Sequence, residues 1–182
     1  IDGGNGRDAL WTSDGNDTIE GGSGGDWLSG GAGNDIIYGG YSTGGDINTA
    51  VDGWTVTGLA GKTFTDLIDG GAGNDQLFGG SGNDLLAGGN GNDSMTGGAG
   101  ADSFLFRKPA GSGTWGNDSI TDFNYGAGDR LIAFNWDKTA VTTTDTSSGL
   151  KIDYLLGNSI TLAGVTTADL LGLHIGVSDL FS

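Results

Sequence analysis

Gly70-Gly71-Ala72-Gly73-Asn74-Asp75-Gln76-Leu77-Phe78 is followed without a gap by Gly79-Gly80-Ser81-Gly82-Asn83-Asp84-Leu85-Leu86-Ala87, and two more units of the same length start at Gly88 and Gly97. The shared pattern is G-G-x-G-x-D-x-U-x, with U a large apolar residue. Working upstream, clean copies begin at Gly3, Gly21 and Gly30, and residues 12–20 form a worn copy that keeps Gly15, Asp17 and Ile19. The U positions are Leu10, Ile19, Leu28, Ile37, Leu77, Leu86, Met95 and Phe104. A phase-locked nonapeptide of this kind signals a stacked repeat architecture.

Each place has a physical task. Glycines at places one, two and four permit a tight turn with positive φ and let carbonyl oxygens approach a common centre. Asparagine at place five (Asn16, Asn34, Asn74, Asn83 and Asn92) suits a left-handed backbone. Place eight, flanked by outward residues at seven and nine, reads as a short strand with one inward side chain. One unit is therefore a turn plus a strand, and two units make a coil of eighteen residues. Stacked coils align aspartates eighteen apart, such as Asp8 with Asp26 and Asp75 with Asp93, along one edge.

Carbonyl and carboxylate oxygens in this number suit calcium better than zinc or copper. The candidate carboxylate ligands at place six are Asp8, Asp17, Asp26, Asp35, Asp75, Asp84, Asp93 and Asp102. The candidate carbonyls belong to Gly4, Gly6, Gly22, Gly24, Gly31, Gly33, Gly71, Gly73, Gly80, Gly82, Gly89, Gly91, Gly98 and Gly100. Pairing the loops gives roughly six ions lying between successive turns. Asp46 and Asp66 are further candidates at an interruption, where residues 47–60 show no repeat and register returns at Asp66-Leu67-Ile68-Asp69. An insertion at about 41–60, carrying Trp54 and Val56, is expected to fold against the roll or to bind a ligand.

Composition supports this reading. Forty of 182 residues are glycine, with one proline and no cysteine, which excludes collagen and any disulfide framework. Five tryptophans and 35% hydrophobic residues exclude a flexible Gly/Ser linker. The formal charge of −16 comes from 23 acids of which only Glu20 is a glutamate, so short carboxylates are selected for geometry. Such charge favours cations over nucleic acid or an anionic membrane surface. No apolar run approaches the length of a membrane span. The chain opens Ile1-Asp2-Gly3-Gly4, without a leader and already inside a repeat unit, which suggests a fragment of a longer protein.

With these residues in view, the sequence resembles the RTX (repeats-in-toxin) proteins. That resemblance implies an all-β parallel β-roll, a calcium-stapled solenoid, over 1–105, capped over 106–182. Alternating runs at Ser119 to Phe123, Leu131 to Phe134, Lys151 to Tyr154 and Ser159 to Leu162 suggest that the cap is made of antiparallel strands. Asn117-Asp118-Ser119-Ile120-Thr121-Asp122-Phe123, with Gly126, Gly128, Asp129 and Leu131 after it, is similar to the segment ending the roll in serralysin-type proteases, related lipases and alginate epimerase modules. In that comparison Asp122 and Asp129 hold a further calcium. Ser159-Ile160-Thr161-Leu162-Ala163-Gly164-Val165 and the terminal Asp179-Leu180-Phe181-Ser182 are similar to RTX chain ends, which in that family are read by a type I ABC export apparatus of Gram-negative bacteria.

No catalytic constellation emerges. Gly21-Gly22-Ser23-Gly24-Gly25 fits the nucleophile-elbow spelling but lies in a repeat turn without a following helix, and His174 is the sole histidine. The leading expectation is the calcium-binding C-terminal module of a larger secreted protein, disordered until calcium is met after export, with a protease, lipase or epimerase upstream as one arrangement. The alternative is an extracellular adhesin, surface-layer or polysaccharide-binding module that uses the roll as scaffold. Trp11, Trp27, Tyr38 and Phe78 sit at outward places where rings stack on sugars or pack against the rest of the chain. An ice-binding role is disfavoured, because place three lacks threonine.

Overall fold

Inward apolar residues at a fixed spacing of nine, separated by glycine turns, fold here into coils whose strands alternate between two facing sheets. The computed structural model describes residues 1–41, 65–107, 116–134, 141–154 and 158–172. The roll strands are β1 (Asp2–Asn5), β2 (Ala9–Trp11), β3 (Thr18–Ser23), β4 (Trp27–Ser29), β5 (Ile36–Tyr41) and β6 (Leu67–Ala72). They continue as β7 (Gln76–Ser81), β8 (Leu85–Asn90), β9 (Ser94–Ala99), β10 (Ser103–Arg107), β11 (Asn117–Ile120) and β12 (Arg130–Phe134). After them come β13 (Thr142–Thr146), β14 (Gly149–Tyr154), β15 (Asn158–Ala163) and the short helix α1 (Thr167–Gly172).

Odd-numbered roll strands and the last three strands form one nine-stranded sheet, ordered β1-β3-β5-β7-β9-β11-β15-β14-β13. Even-numbered strands form the second sheet, β12-β10-β8-β6-β4-β2. Pairing within the roll is parallel, with register steps of eighteen such as Ile19 opposite Ile37 and Leu77 opposite Met95. The U residues meet between the sheets: Ile19, Leu28, Ile37, Ile68, Leu77, Leu86, Met95, Phe104, Ile120 and Leu131 are all fully buried. Burying each such side chain contributes about 1.5–3 kcal/mol, the non-directional part of the fold's stability.

Parallel pairing runs further than the sequence suggests. β11 pairs parallel with β9, β12 with β10, and β15 with β11. The runs Ser119 to Phe123 and Leu131 to Phe134, expected as antiparallel cap strands, therefore belong to the parallel sheets. Antiparallel pairing is confined to β13–β14 and β14–β15 among the described residues. The reason is that Ile120 and Leu131 still fall at inward positions, opposite Met95 and Phe104, so the coil geometry persists although the glycine spelling has decayed. Leu150, Ile152, Ile160 and Leu162 then close the core. α1 starts with a capping arrangement in which Thr166 N and Oγ1 donate to Asp169 Oδ2 at 2.7 Å, while Thr167 N donates to Asp145 of β13 at 2.8 Å.

The two outer faces differ. On the second sheet Leu67, Leu85, Ala87, Leu105 and Ile132 point away from the roll interior yet are at most 7% exposed. On the nine-stranded sheet the corresponding residues, Glu20, Tyr38 and Thr121 among them, are exposed.

The interruption is inserted within a single turn. β5 and β7 pair with a step of 40, as do β4 and β6, so 22 residues are additional to the regular eighteen. Gly39, Gly40 and Tyr41 are places one to three of a unit that resumes at Thr65 and Asp66, places five and six. Replacing residues 42–64 by one glycine is therefore expected to restore an ordinary nonapeptide. The far-UV circular dichroism of the calcium-loaded protein should keep its β-sheet signal, and loss of that signal would contradict the register.

Candidate metal centre

Two single files of aspartates run along the two edges of the roll. On one edge Asp8, Asp26, Asp66, Asp84 and Asp102 each offer their main-chain N–H to Oδ1 of the next rung, at 2.8–3.0 Å, ending on Asp129. On the other edge Asp17, Asp35, Asp75 and Asp93 do the same at 2.7–3.0 Å, ending on Asp118. After Asp8 and Asp17, which begin the files, each carboxylate thus spends one oxygen on its neighbour's backbone.

The second oxygen is left over. Oδ2 of Asp8, Asp26, Asp35, Asp66, Asp75, Asp84, Asp93 and Asp102 is buried and has no hydrogen-bond partner. A buried carboxylate oxygen without a partner costs on the order of 1–3 kcal/mol, and more when charged. The surroundings show what fits there. A methyl group built on Gly21 would lie 2.6 Å from Asp26 Oδ2 and 2.5 Å from the carbonyl oxygen of Gly39 in the next coil. On Gly70 it would lie 2.6 Å from both Asp75 Oδ2 and the Gly88 carbonyl oxygen. The orphaned oxygen and a carbonyl of the following coil therefore face the same small space, which only glycine at place one leaves open. Among the described residues no three acidic or histidine side chains converge. The oxygens brought together here are carbonyls with single carboxylates, an all-oxygen set that suits calcium.

The sequence pattern predicts positive φ at all three turn glycines. The structure divides the tasks: places two and four adopt it, as at Gly22 (104°) and Gly24 (133°), whereas place one serves close approach. A side chain at Gly24 would also run into the Gly6 carbonyl. Gly4, Gly6, Gly31, Gly33, Gly71, Gly73, Gly80, Gly82, Gly89, Gly91, Gly98 and Gly100 share this turn geometry. The carbonyls that face the orphaned oxygens belong to place one, a group absent from the candidates drawn from the sequence. Asparagine at place five has a side-chain task between coils as well. Asn16, Asn34, Asn74 and Asn92 accept the main-chain N–H of Asn34, Asn74, Asn92 and Asn117 through Oδ1 at 2.7–2.9 Å, a second zipper outside the carboxylates.

Asp66 stands in the first file, completely buried. Asp46 lies outside the described residues. Asp122 accepts the N–H groups of Gly97 and Gly98 at 3.0 and 2.8 Å, one on each oxygen. Asp129 accepts from Asp102 N at 3.0 Å and Asn124 N at 2.8 Å. Asp118, missed in the sequence, stands in the second file at 3% exposure. Its signal was present: Gly113, Gly116, Asn117, Asp118 and Ile120 occupy places one, four, five, six and eight of one more unit.

Burial pushes the ladder carboxyls well above the ordinary carboxylate range, to about 6 for Asp75 and Asp102, about 7 for Asp66 and Asp93, and about 8 for Asp84 and Asp118. The charge of neighbouring rungs reinforces the effect and the hydrogen bond from the preceding backbone opposes it. Without metal these groups bind protons more tightly folded than unfolded. They favour the folded state in acid, and that contribution is lost as pH rises through about 6–8.

Comparison with known proteins agrees with this geometry. The RTX calcium-binding nonapeptide repeat model matches in four copies, at residues 1–26, 11–40, 59–86 and 78–105. Among solved structures, the extracellular lipase LipA from Serratia marcescens has a similar fold, with a TM-score of 0.50 and 21% identity. That likeness covers all of this chain and 38% of the lipase chain, so the chain spans well under half of that protein's length. No curated protein matches.

The raised carboxyls make stability depend on pH. In excess chelator the β-sheet dichroism should grow as pH is lowered from 8 to 5. The rise in Tm produced by saturating calcium should be largest near pH 8 and shrink toward pH 5, where protons already neutralise the ladders. A calcium-induced rise in Tm that is flat across this range would mean the ladder oxygens are not the binding groups. Separately, Gly21→Ala is expected to weaken calcium binding because its methyl fills the space facing Asp26 Oδ2, a change read by calorimetric titration.

Proposed function

We propose, from the premise that its repeats are RTX calcium-binding nonapeptides, that this chain is the calcium-dependent folding module of a larger secreted bacterial protein. The repeat module itself is a structural, calcium-binding domain. The observation that carries the reading is the set of eight buried Oδ2 atoms without partners, divided between the two files.

The residues divide the work. Oδ1 of each ladder aspartate fixes the spacing to the next coil, Oδ2 and the place-one carbonyls offer the cation its oxygens, and the U residues fill the space between the sheets. Calcium, when bound, supplies the positive charge and coordination that these oxygens lack. In its absence the 23 acids repel one another and glycine's large conformational entropy is weakly opposed, so the unrolled chain is favoured. A ligand that binds only the rolled form stabilises it by RT ln(1 + [L]/Kd) at each site, and several sites together exceed the margin of about 5–15 kcal/mol that ordinary domains have.

This chemistry suits a protein that crosses a membrane unrolled and folds in a calcium-rich exterior. Export by a type I ABC apparatus reading Asp179 to Ser182, extracellular or cell-surface destination, Gram-negative origin and an upstream catalytic domain are parts of the same proposal. The C-terminal residues concerned lie outside the described residues.

The experiment is circular dichroism with scanning calorimetry across a calcium titration. At pH 8 the chain should lack β-sheet signal in chelator and gain it cooperatively with calcium. A folded chain in excess chelator at pH 8 would overturn the reading. Asp84→Asn should raise the half-saturating calcium concentration several-fold, whereas Asp14→Asn, at an exposed position, should leave it unchanged.

A further inference from the structure

Among the described residues the outer face of the nine-stranded sheet is exposed to half-buried along the roll, whereas the outer face of the second sheet is covered from Leu67 onward. Its central column runs Glu20, Tyr38, Phe78, Thr96, each opposite the next in parallel register, and Thr96 Oγ1 lies 2.7 Å from Thr121 Oγ1. Tyr38 and Phe78 stack at 4.9 Å with their planes 12° apart, close to the spacing of about 4.8 Å between strands. One face of each ring is used by the other. Phe78 and Thr96 are half-buried, with the exposed Gln76 and the half-buried Ser94 on the neighbouring column. Tyr38 is 41% exposed, one of three large apolar side chains left in solvent among the described residues.

We propose that this column is a binding track for a linear, uncharged polysaccharide lying along the roll axis, with sugar rings packed on the solvent-facing side of the stacked Tyr38–Phe78 pair. Four features select that ligand. The sites are in single file, which suits a linear polymer. Aromatic faces bordered by hydroxyl, amide and carboxylate groups match the apolar faces and rim hydroxyls of a sugar ring. The formal charge of −16 disfavours a polyanionic chain. Two rings, burying about 150–250 Å² each when fully covered, fall short of the roughly 1,200 Å² of a stable protein interface. The track depends on the fold and its open face, and is independent of how calcium drives folding.

The test is isothermal titration of the calcium-loaded protein with cellohexaose, laminarihexaose, xylohexaose and mannohexaose, with oligogalacturonate as the polyanionic control. At least one neutral hexasaccharide should bind, and Tyr38→Ala and Phe78→Ala should each weaken it about tenfold. Trp11→Ala, on the other sheet, should not. Thr96→Lys should abolish binding by setting a long charged side chain beside Phe78 while leaving both rings, and Tyr38→Phe should retain it, so the outcome does not depend on one variant folding. Calcium-induced dichroism is recorded for every variant, which separates loss of the track from loss of the roll. Absence of binding to all four neutral glycans, preference for oligogalacturonate, or equal loss in Trp11→Ala would each overturn the proposal.

Discussion

Negative charge held in register is the constraint on which the rest of this molecule depends. Each coil places one carboxylate per edge directly over that of the next, buried and spaced by a backbone hydrogen bond to Oδ1. Left alone, such an array is unfavourable twice over, by desolvation and by repulsion between rungs. The same geometry becomes favourable once the second oxygen of each rung is neutralised. Stability is thereby tied to the chemical composition of the surroundings rather than to the apolar core alone, which is one residue wide along each sheet.

Glycine makes this arrangement possible and gives it direction. Place-one glycine opens the space between Oδ2 and the carbonyl of the next coil, and the two positive-φ glycines turn the chain so that the aspartate returns to the edge. Where the doubled glycine disappears, the pattern of hydrogen bonds changes. At the turn from Asp122 to Asp129 the oxygens of both acids are taken by backbone N–H groups, and Arg130 lies over the Tyr125 ring at 4.4 Å. The roll thus ends in a turn organised by its own donors, onto which β15 and β14 are added as further strands of the same sheet.

Much of this was legible in the sequence because period and chemistry coincide. Leu77, Leu86 and Met95 reveal the inward position, and Asp75, Asp84 and Asp93 the edge, with no tertiary knowledge required. The features that escaped depended on relations between coils. That Asn74 accepts a bond from Asn92, or that the Gly39 carbonyl faces Asp26 Oδ2, is a property of stacking and leaves no mark within one nonapeptide. Asp118 escaped for another reason: its unit keeps the outline but loses the doubled glycine, so the repeat is recognised by inward Ile120 rather than by spelling. The alternating runs near the end misled because alternation reports a half-buried strand and is silent about the direction of its neighbour.

The turns also show how such a molecule can change length. Successive ladder steps of 18, 40, 25 and 27 residues all bring the aspartate back to its file. Pairing is counted strand by strand, so a turn can gain any number of residues without shifting the phase of later strands, whereas one residue gained inside a strand would reverse every side chain beyond it. Indels should therefore accumulate at the edges of this scaffold, making each turn a port at which new sequence can be grafted while the axial ruler keeps its graduations.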